Sequence, residues 1–145
     1  MSSANPAFVA YAITAVVLIV NLIFLWSLSG VTRGRTGKVP NAEDVAAFKA
    51  ELSDIDPPGV ARVLRAHANA GATIYPFLFL GLIYVMAGGS NTVATAIFAT
   101  FAVARWLHSI FYLSARQPWR TIAFTVSGLA LLALLIAVIV CLVKG

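Results

Sequence analysis

The stretch RVLRAHANAGATIYPFLFLGLIY, from Arg62 to Tyr84, begins as an amphipathic helix and continues without a break into strongly apolar residues. Its start carries two arginines, Arg62 and Arg65, and the histidine His67. An arginine at the edge of a bilayer is costly unless it reaches the polar interface or meets a partner. The stretch therefore predicts a membrane helix whose entry carries cations with an anchoring or ligand-binding role.

The composition of the whole chain predicts an integral membrane protein. Of its 145 residues 61% are hydrophobic and 10% are charged, and the mean hydropathy is +0.93. Soluble domains have about 45 to 50% apolar and about 25% charged residues. The formal charge of +5 is scattered over predicted helix ends, a pattern that fits a lipid bilayer or an anionic small molecule and not nucleic acid.

Four apolar spans can be read from the chain, at about residues 8–28, 69–86, 92–113 and 121–143. Each is close to the roughly 20 residues that cross a bilayer as a helix. None shows the alternation over about 10 residues that is typical of barrel strands. The predicted fold class is all-α, with residues 1–145 forming one four-transmembrane-helix domain.

The charges in the connections predict how the spans are oriented. The polar segment at about residues 30–58 carries basic residues and all five acidic residues. The second connection, AGGSN, is uncharged, whereas the third carries Arg116 and leads to Arg120. By the positive-inside tendency, the first and third connections face the cytoplasm and both termini face the other side. Lys144, near the C-terminus, is the one charge that disagrees with this orientation.

Several kinds of chemistry lack support in the sequence. Cys141 is the single cysteine, and His67 and His108 lie on different predicted helices without a second ligand at metal-binding spacing. Phosphate-loop, dinucleotide, zinc-protease and serine-hydrolase motifs do not occur. We therefore expect neither a metal site nor a nucleotide site.

Polar residues recur at three- and four-residue steps on three predicted spans and therefore share helix faces. These stripes comprise Arg62, Arg65 and Asn69 on the helix of the second span, Arg105, His108 and Tyr112 on that of the third, and Arg120 with Thr121 on that of the fourth. All lie toward the predicted cytoplasmic ends, and no span contains an acid. Such a cluster suits an anionic ligand, with Arg62 and Arg105 as anion-binding or structural cations. Alternatively, Arg62 and Arg65 anchor the protein to anionic lipid.

The motifs RAHANAGATIYPFLFLGLIY, ARWLHSIFYL and RTIAFT resemble the MAPEG family (membrane-associated proteins in eicosanoid and glutathione metabolism), and within it the prostaglandin E synthase branch. The resemblance extends from about Arg33 to Thr125. It implies a homotrimer of four-helix subunits that holds glutathione between subunits near the cytoplasmic side. It also implies a glutathione-dependent transferase, peroxidase or isomerase that acts on a hydrophobic electrophile.

The resemblance also implies roles for single residues. The glutathione contacts fall on Arg33, Asn69, His108, Tyr112 and Arg120, to which we add Arg65 because it shares the face of Asn69. Arg120 would stabilise the thiolate, since a guanidinium lowers the pKa of a nearby thiol. Thr121 stands where the branch has a serine proposed to act on the thiol. Asp44 corresponds to an aspartate proposed to transfer a proton, and its alternative interpretation is a solvated loop acid.

Three positions depart from the pattern of the branch. Ala68 replaces an arginine, Ala72 a glutamate and Phe124 a tyrosine. Loss of one charge-assisted contact, about 1.5 to 3 kcal/mol, would weaken glutathione binding about tenfold to a hundredfold. A second hypothesis is therefore a non-catalytic, lipid-binding member of the same fold. A proton-coupled multidrug exporter is less favoured because the spans lack a carboxylate.

A physical reason independent of the resemblance also favours a trimer. An isolated Arg105 that faces lipid would be strongly disfavoured, whereas assembly could enclose it. The small residues in ANAGA, residues 68–72, allow helices to approach closely. We expect the second membrane helix to lie nearest the trimer axis.

Overall fold

The computed structural model describes residues 5–144. Its elements are α1 (Pro6–Gly34), β1 (Lys38–Val39), α2 (Ala42–Phe48), β2 (Glu51–Leu52), α3 (Pro58–Met86), α4 (Asn91–Leu113) and α5 (Trp119–Lys144). The four long helices, α1, α3, α4 and α5, have the length and hydropathy of membrane spans. The predicted fold class is confirmed: the chain is an integral membrane protein built as a four-helix bundle.

The helices start where the local sequence favours a helix end. Ala7 donates its backbone N–H to the side-chain oxygen of Asn5 at 3.0 Å, and Pro6 occupies the first turn of α1. Pro58 likewise opens α3, which runs without a break through Pro76 to Met86. The helix therefore begins well before the predicted span at residue 69, and its amphipathic first turns continue into the membrane segment.

Aromatic contacts hold the centre of the bundle together. The rings of Phe77 and Phe101 stack with centroids 3.7 Å apart, and Phe98 meets Phe77 edge-on at 5.8 Å. A β-carbon on Gly81 would lie 3.2 Å from the ring of Tyr11 and 3.3 Å from that of Phe98. Because lipid offers no hydrophobic drive between helices, such close packing is what joins them.

The predicted uncharged turn joins α3 to α4. Gly88 has a φ of +75°, a conformation that glycine adopts without steric cost. The backbone of Gly89 lies against the ring of Tyr84, whose hydroxyl oxygen accepts the N–H of Ser90 at 3.0 Å. The turn is therefore closed by a buried aromatic ring that leaves no room for a side chain.

The polar segment is shorter and more ordered than the predicted loop at residues 30–58. Helix α1 extends to Gly34, after which β1 and β2 pair in parallel on either side of α2. Arg33, in the last turn of α1, forms an ion pair with Asp56 at 2.7 Å. This pair fastens the end of the polar segment to α1 just before α3 begins.

Candidate functional site

The candidate site lies at the end of the bundle where α4 ends and α3 and α5 begin, which we call the basic end. The structure brings together residues from all three predicted stripes. We call this group of residues the Arg120 cluster. Direct contacts join its members in two sets: Arg105 with Asn69, and His108 with Tyr112, Arg120 and Arg62. The cluster forms within one subunit.

Arg105 is completely buried inside the subunit, with no exposed surface. Its Nη2 donates to the side-chain oxygen of Asn69 at 2.9 Å, while its Nε and Nη1 have no partner among the described residues. The four long helices contain no acid over the part of the chain that the structure describes. The premise that Arg105 would face lipid in a single subunit was wrong, because α4 turns this side chain into its own bundle.

Asn69 is oriented by this contact. Because its oxygen accepts from Arg105, its NH2 group must point elsewhere, and no hydrogen bond of that group occurs within residues 5–144. The side chain is half-buried. Arg105 therefore orients the Asn69 amide so that its two N–H donors are free to contact a ligand.

His108 ties α4 to the first turn of α5. Its Nδ1 lies 3.0 Å from the backbone oxygen of Arg120, and since a carbonyl only accepts, Nδ1 carries the proton. The buried Nε2 has no partner among the described residues. The rings of Tyr112 and Phe124 each lie 5.6 Å from the imidazole, centroid to centroid. The histidine thus positions Arg120 through the backbone.

The guanidinium of Arg120 lies 5.0 Å from the centre of the Tyr112 ring, in a cation–π arrangement. The Gln117 amide satisfies both of its neighbours when its oxygen faces Arg120, at 2.7 Å from Nη2, and its nitrogen faces Thr121 Oγ1, at 3.0 Å. Arg120 and Thr121 belong to the first turn of α5, which is the positive end of the helix dipole. Positive charge is therefore concentrated around Arg120.

The two predicted site arginines on α3, Arg62 and Arg65, differ in their surroundings. Arg62 donates from Nη1 to the backbone oxygen of Tyr112 at 3.3 Å, so it caps the last turn of α4, where a cation is favoured. Arg65 is exposed and makes no hydrogen bond or ion pair with another described residue. Arg62 is therefore part of the Arg120 cluster, and Arg65 lies on the subunit surface.

Arg33, at the end of α1, and Asp44, on α2, both line a cavity of about 310 Å³. The Asp44 carboxylate accepts from the side-chain amide of Asn41 at 3.0 Å. In the described part of the chain, no hydrogen bond or ion pair joins Arg33 or Asp44 to Arg120 or Thr121. Within one subunit, these predicted site residues do not join the Arg120 cluster.

The sequence reading missed Gln117 and Asp56. Gln117 precedes Arg120 and Thr121 by three and four residues, a spacing at which helix-start side chains can meet, so a signal was present. Asp56 is far from Arg33 along the chain, and no pattern pairs them. Two of the departures from the branch pattern, Ala68 and Ala72, line an open cavity of about 450 Å³ on α3.

Comparison with known proteins gives the family. The model of the MAPEG family matches residues 11–140. Prostaglandin E synthase of Homo sapiens is 34% identical over 126 residues, which cover 86% of this chain and 83% of that protein. Microsomal glutathione S-transferase 1 of Rattus norvegicus is 34% identical over 127 residues, covering 84% of this chain and 82% of that protein. The resemblance found in the motifs is confirmed, and the chain belongs to the MAPEG family.

Proposed function

We propose that this protein is a membrane enzyme that activates glutathione, or another anionic thiol, for attack on a hydrophobic electrophile. The names of the similar proteins, a prostaglandin E synthase and a glutathione S-transferase, support glutathione chemistry at the level of the family. The observation that carries the proposal for this chain is the Arg120 cluster, where cations and free donors converge without a carboxylate.

The ligand that fits this cluster is a thiol with at least one carboxylate. The NH2 group of Asn69 and the exposed Arg65 can donate to carboxylate oxygens, and a guanidinium does so with two parallel bonds. Arg62 and Arg105 add positive potential that no acid in the described parts of the four long helices offsets. A neutral or cationic thiol would gain nothing from these charges.

Arg120 is proposed to hold the sulfur in its thiolate form. A cation beside a thiol, at the positive end of a helix dipole, favours loss of the S–H proton to water. The thiolate then forms a bond to the electrophilic atom, and the bond from that atom to its leaving group breaks. Thr121 can donate a hydrogen bond from its hydroxyl to the thiolate, because its oxygen accepts from the Gln117 amide nitrogen and its O–H is left free.

A homotrimer would complete the site. Arg33 and Asp44, which do not reach Arg120 in one subunit, could approach the cluster of a neighbouring subunit across a shared interface. The small residues Ala68, Gly71 and Ala72 on α3 would permit the close helix contact that such an interface needs. Native mass spectrometry in mild detergent should give trimers, and a spectrum of monomers alone would exclude a shared site.

We also propose how the protein is oriented in the membrane. The basic end would face the cytoplasm, with both termini on the opposite side, because loops flanked by Lys and Arg stay on the cytoplasmic side. A membrane-impermeant thiol reagent applied to intact cells tests this with single cysteines placed at Ser3 and at Ser53. Labelling at Ser53 and protection at Ser3 would contradict the orientation.

Two positions favour the second hypothesis, a lipid-binding member without catalysis. Phe124 fills the space beside His108 with an apolar ring, and Ala72 is an exposed, uncharged position on α3. Both changes remove polar groups from around the Arg120 cluster. An anionic lipid could use the remaining cations without any thiol.

Turnover with glutathione and a chloronitrobenzene acceptor separates these functions. We expect the purified protein to form the glutathione conjugate, and Arg120→Ala to lose at least about a hundredfold of that rate. Arg35→Ala, which removes an exposed arginine at the same end, is the matched control and should keep the rate. If there is no turnover and calorimetry detects no bound glutathione, the proposed enzymatic function is rejected and the lipid-binding function is left.

A further inference from the structure

An apolar groove of about 670 Å³ runs between α4 and α5 on the surface of the subunit. We call it the α4/α5 groove. Its walls include the exposed side chains of Val103 and Leu107 on α4 and of Ile122 and Val126 on α5. Small residues such as Ala99 leave the space between them. None of its lining residues belongs to the Arg120 cluster, so the groove is separate from the proposed thiol site.

The length of the groove matches one leaflet of a bilayer. From Ala99 to Phe111, its lining residues span twelve helical steps, or about 18 Å along α4. The hydrocarbon core of a bilayer is about 30 Å thick, so one leaflet contributes about 15 Å. The groove therefore begins near the bilayer centre and ends at the basic end.

A cation and an aromatic N–H stand at the polar end of the groove. The rings of Phe111 and Trp119 lie 6.4 Å apart, and the backbone N–H of Arg116 donates to the oxygen of Phe111 at 3.0 Å. The side chains of Arg116 and Trp119 are exposed. Neither makes a side-chain hydrogen bond or an ion pair with any described residue. The groove is thus apolar along its length, and Arg116, whose backbone is bonded to the groove-lining Phe111, carries an exposed cation next to its polar end.

We propose that the α4/α5 groove binds one acyl chain of an anionic phospholipid, whose phosphate is held by the Arg116 guanidinium and the Trp119 indole N–H. The chain length that fits is that of one leaflet. A guanidinium fork matches phosphate oxygens, and tryptophan favours the headgroup level. A helix from a second copy of the protein would fill the groove without any use for the unpaired cation, so charge favours the lipid.

Competitive lipid retention measures this site. The delipidated protein is mixed with equal amounts of phosphatidylglycerol and phosphatidylcholine of identical acyl chains, and native mass spectrometry counts each bound lipid. One cation near an anionic headgroup gives a preference of about fivefold for phosphatidylglycerol. Arg116→Gln should abolish that preference, and Arg35→Gln, an exposed arginine outside the groove, should keep it.

A second pair of variants tests where the acyl chain lies. Ala99→Trp fills the groove and should reduce retention of both lipids, whereas Ile23→Trp, at an exposed position on α1, should not. An unchanged lipid preference in Arg116→Gln would overturn the proposal. So would an Ala99→Trp variant that retains both lipids but loses its oligomeric state, since a second copy would then occupy the groove.

Discussion

Replacement of Asn69 tests the buried contact that organises the Arg120 cluster. In Asn69→Leu, Arg105 loses the one hydrogen-bond acceptor that it has among the described residues while it stays completely buried. Hydrogen bonds to a charged group contribute about 1.5 to 3 kcal/mol, and a charge left unpaired adds its own desolvation cost. We expect Asn69→Leu to lower the free energy of unfolding by about 1.5 to 3 kcal/mol.

A double-mutant cycle isolates this interaction. Arg105→Met removes the buried charge and, by the same reasoning, should change stability little or increase it. Asn69→Leu should then cost less than about 0.5 kcal/mol in the Arg105→Met background. Unfolding is followed by helical circular dichroism in mixed micelles with increasing dodecyl sulfate. An equal cost of Asn69→Leu in both backgrounds would refute the contact as a source of stability.

The same variants connect stability to function. If the positive electrostatic potential of Arg105 strengthens the binding of an anionic thiol, Arg105→Met should be as stable as the parent but should bind glutathione more weakly. At a hundred times its dissociation constant, a ligand raises the free energy of unfolding by about 2.7 kcal/mol. Glutathione should therefore stabilise the parent and stabilise Arg105→Met less. Equal stabilisation of both proteins would remove Arg105 from the proposed site.

Two further substitutions test the turn between α3 and α4 and the proposed glutathione site. Gly89→Ala should destabilise the protein by more than about 1 kcal/mol, since its side chain would meet the buried ring of Tyr84, whereas Gly128→Ala, with open space around it, should be neutral or stabilising in the same unfolding assay. Ala72→Glu should strengthen glutathione binding in calorimetry by about tenfold to a hundredfold if an acid there pairs with the ligand's amino group. Unchanged affinity in Ala72→Glu would show that this position does not face the ligand.

The spans could be predicted from the sequence because a membrane helix needs little more than length and hydropathy. The start of α3 was placed late because its first turns are amphipathic, so the hydropathy of Pro58 to Ala68 resembles that of a surface helix. The step of three or four residues also predicted that the stripes of α3 and α4 point to one place, and Asn69 and Arg105 do meet in the structure. Periodicity along a helix carries this information because it shows which residues share a face.

What could not be predicted depends on contacts between distant segments. A stripe gives the face of a helix but not the neighbour that covers it, so the burial of Arg105 within one subunit was not visible in the pattern. The ion pair of Arg33 with Asp56 arises from the path of the polar segment, which has no strong periodicity. The position of Asp44 relative to Arg120 in an assembly remains a prediction for the same reason.

The stabilisation of a thiolate by Arg120 can be measured from the ultraviolet absorbance of the bound thiolate as a function of pH. Glutathione bound to the parent protein should titrate at a lower pH than free glutathione, because the guanidinium and the start of α5 favour the anion. In Arg120→Ala, the titration should move back toward that of free glutathione and turnover should fall by about a hundredfold or more, while Arg120→Lys should recover only part of both. If titration and turnover in Arg120→Ala match those of the parent protein, Arg120 does not stabilise the thiolate and is left as an anchor for lipid headgroups.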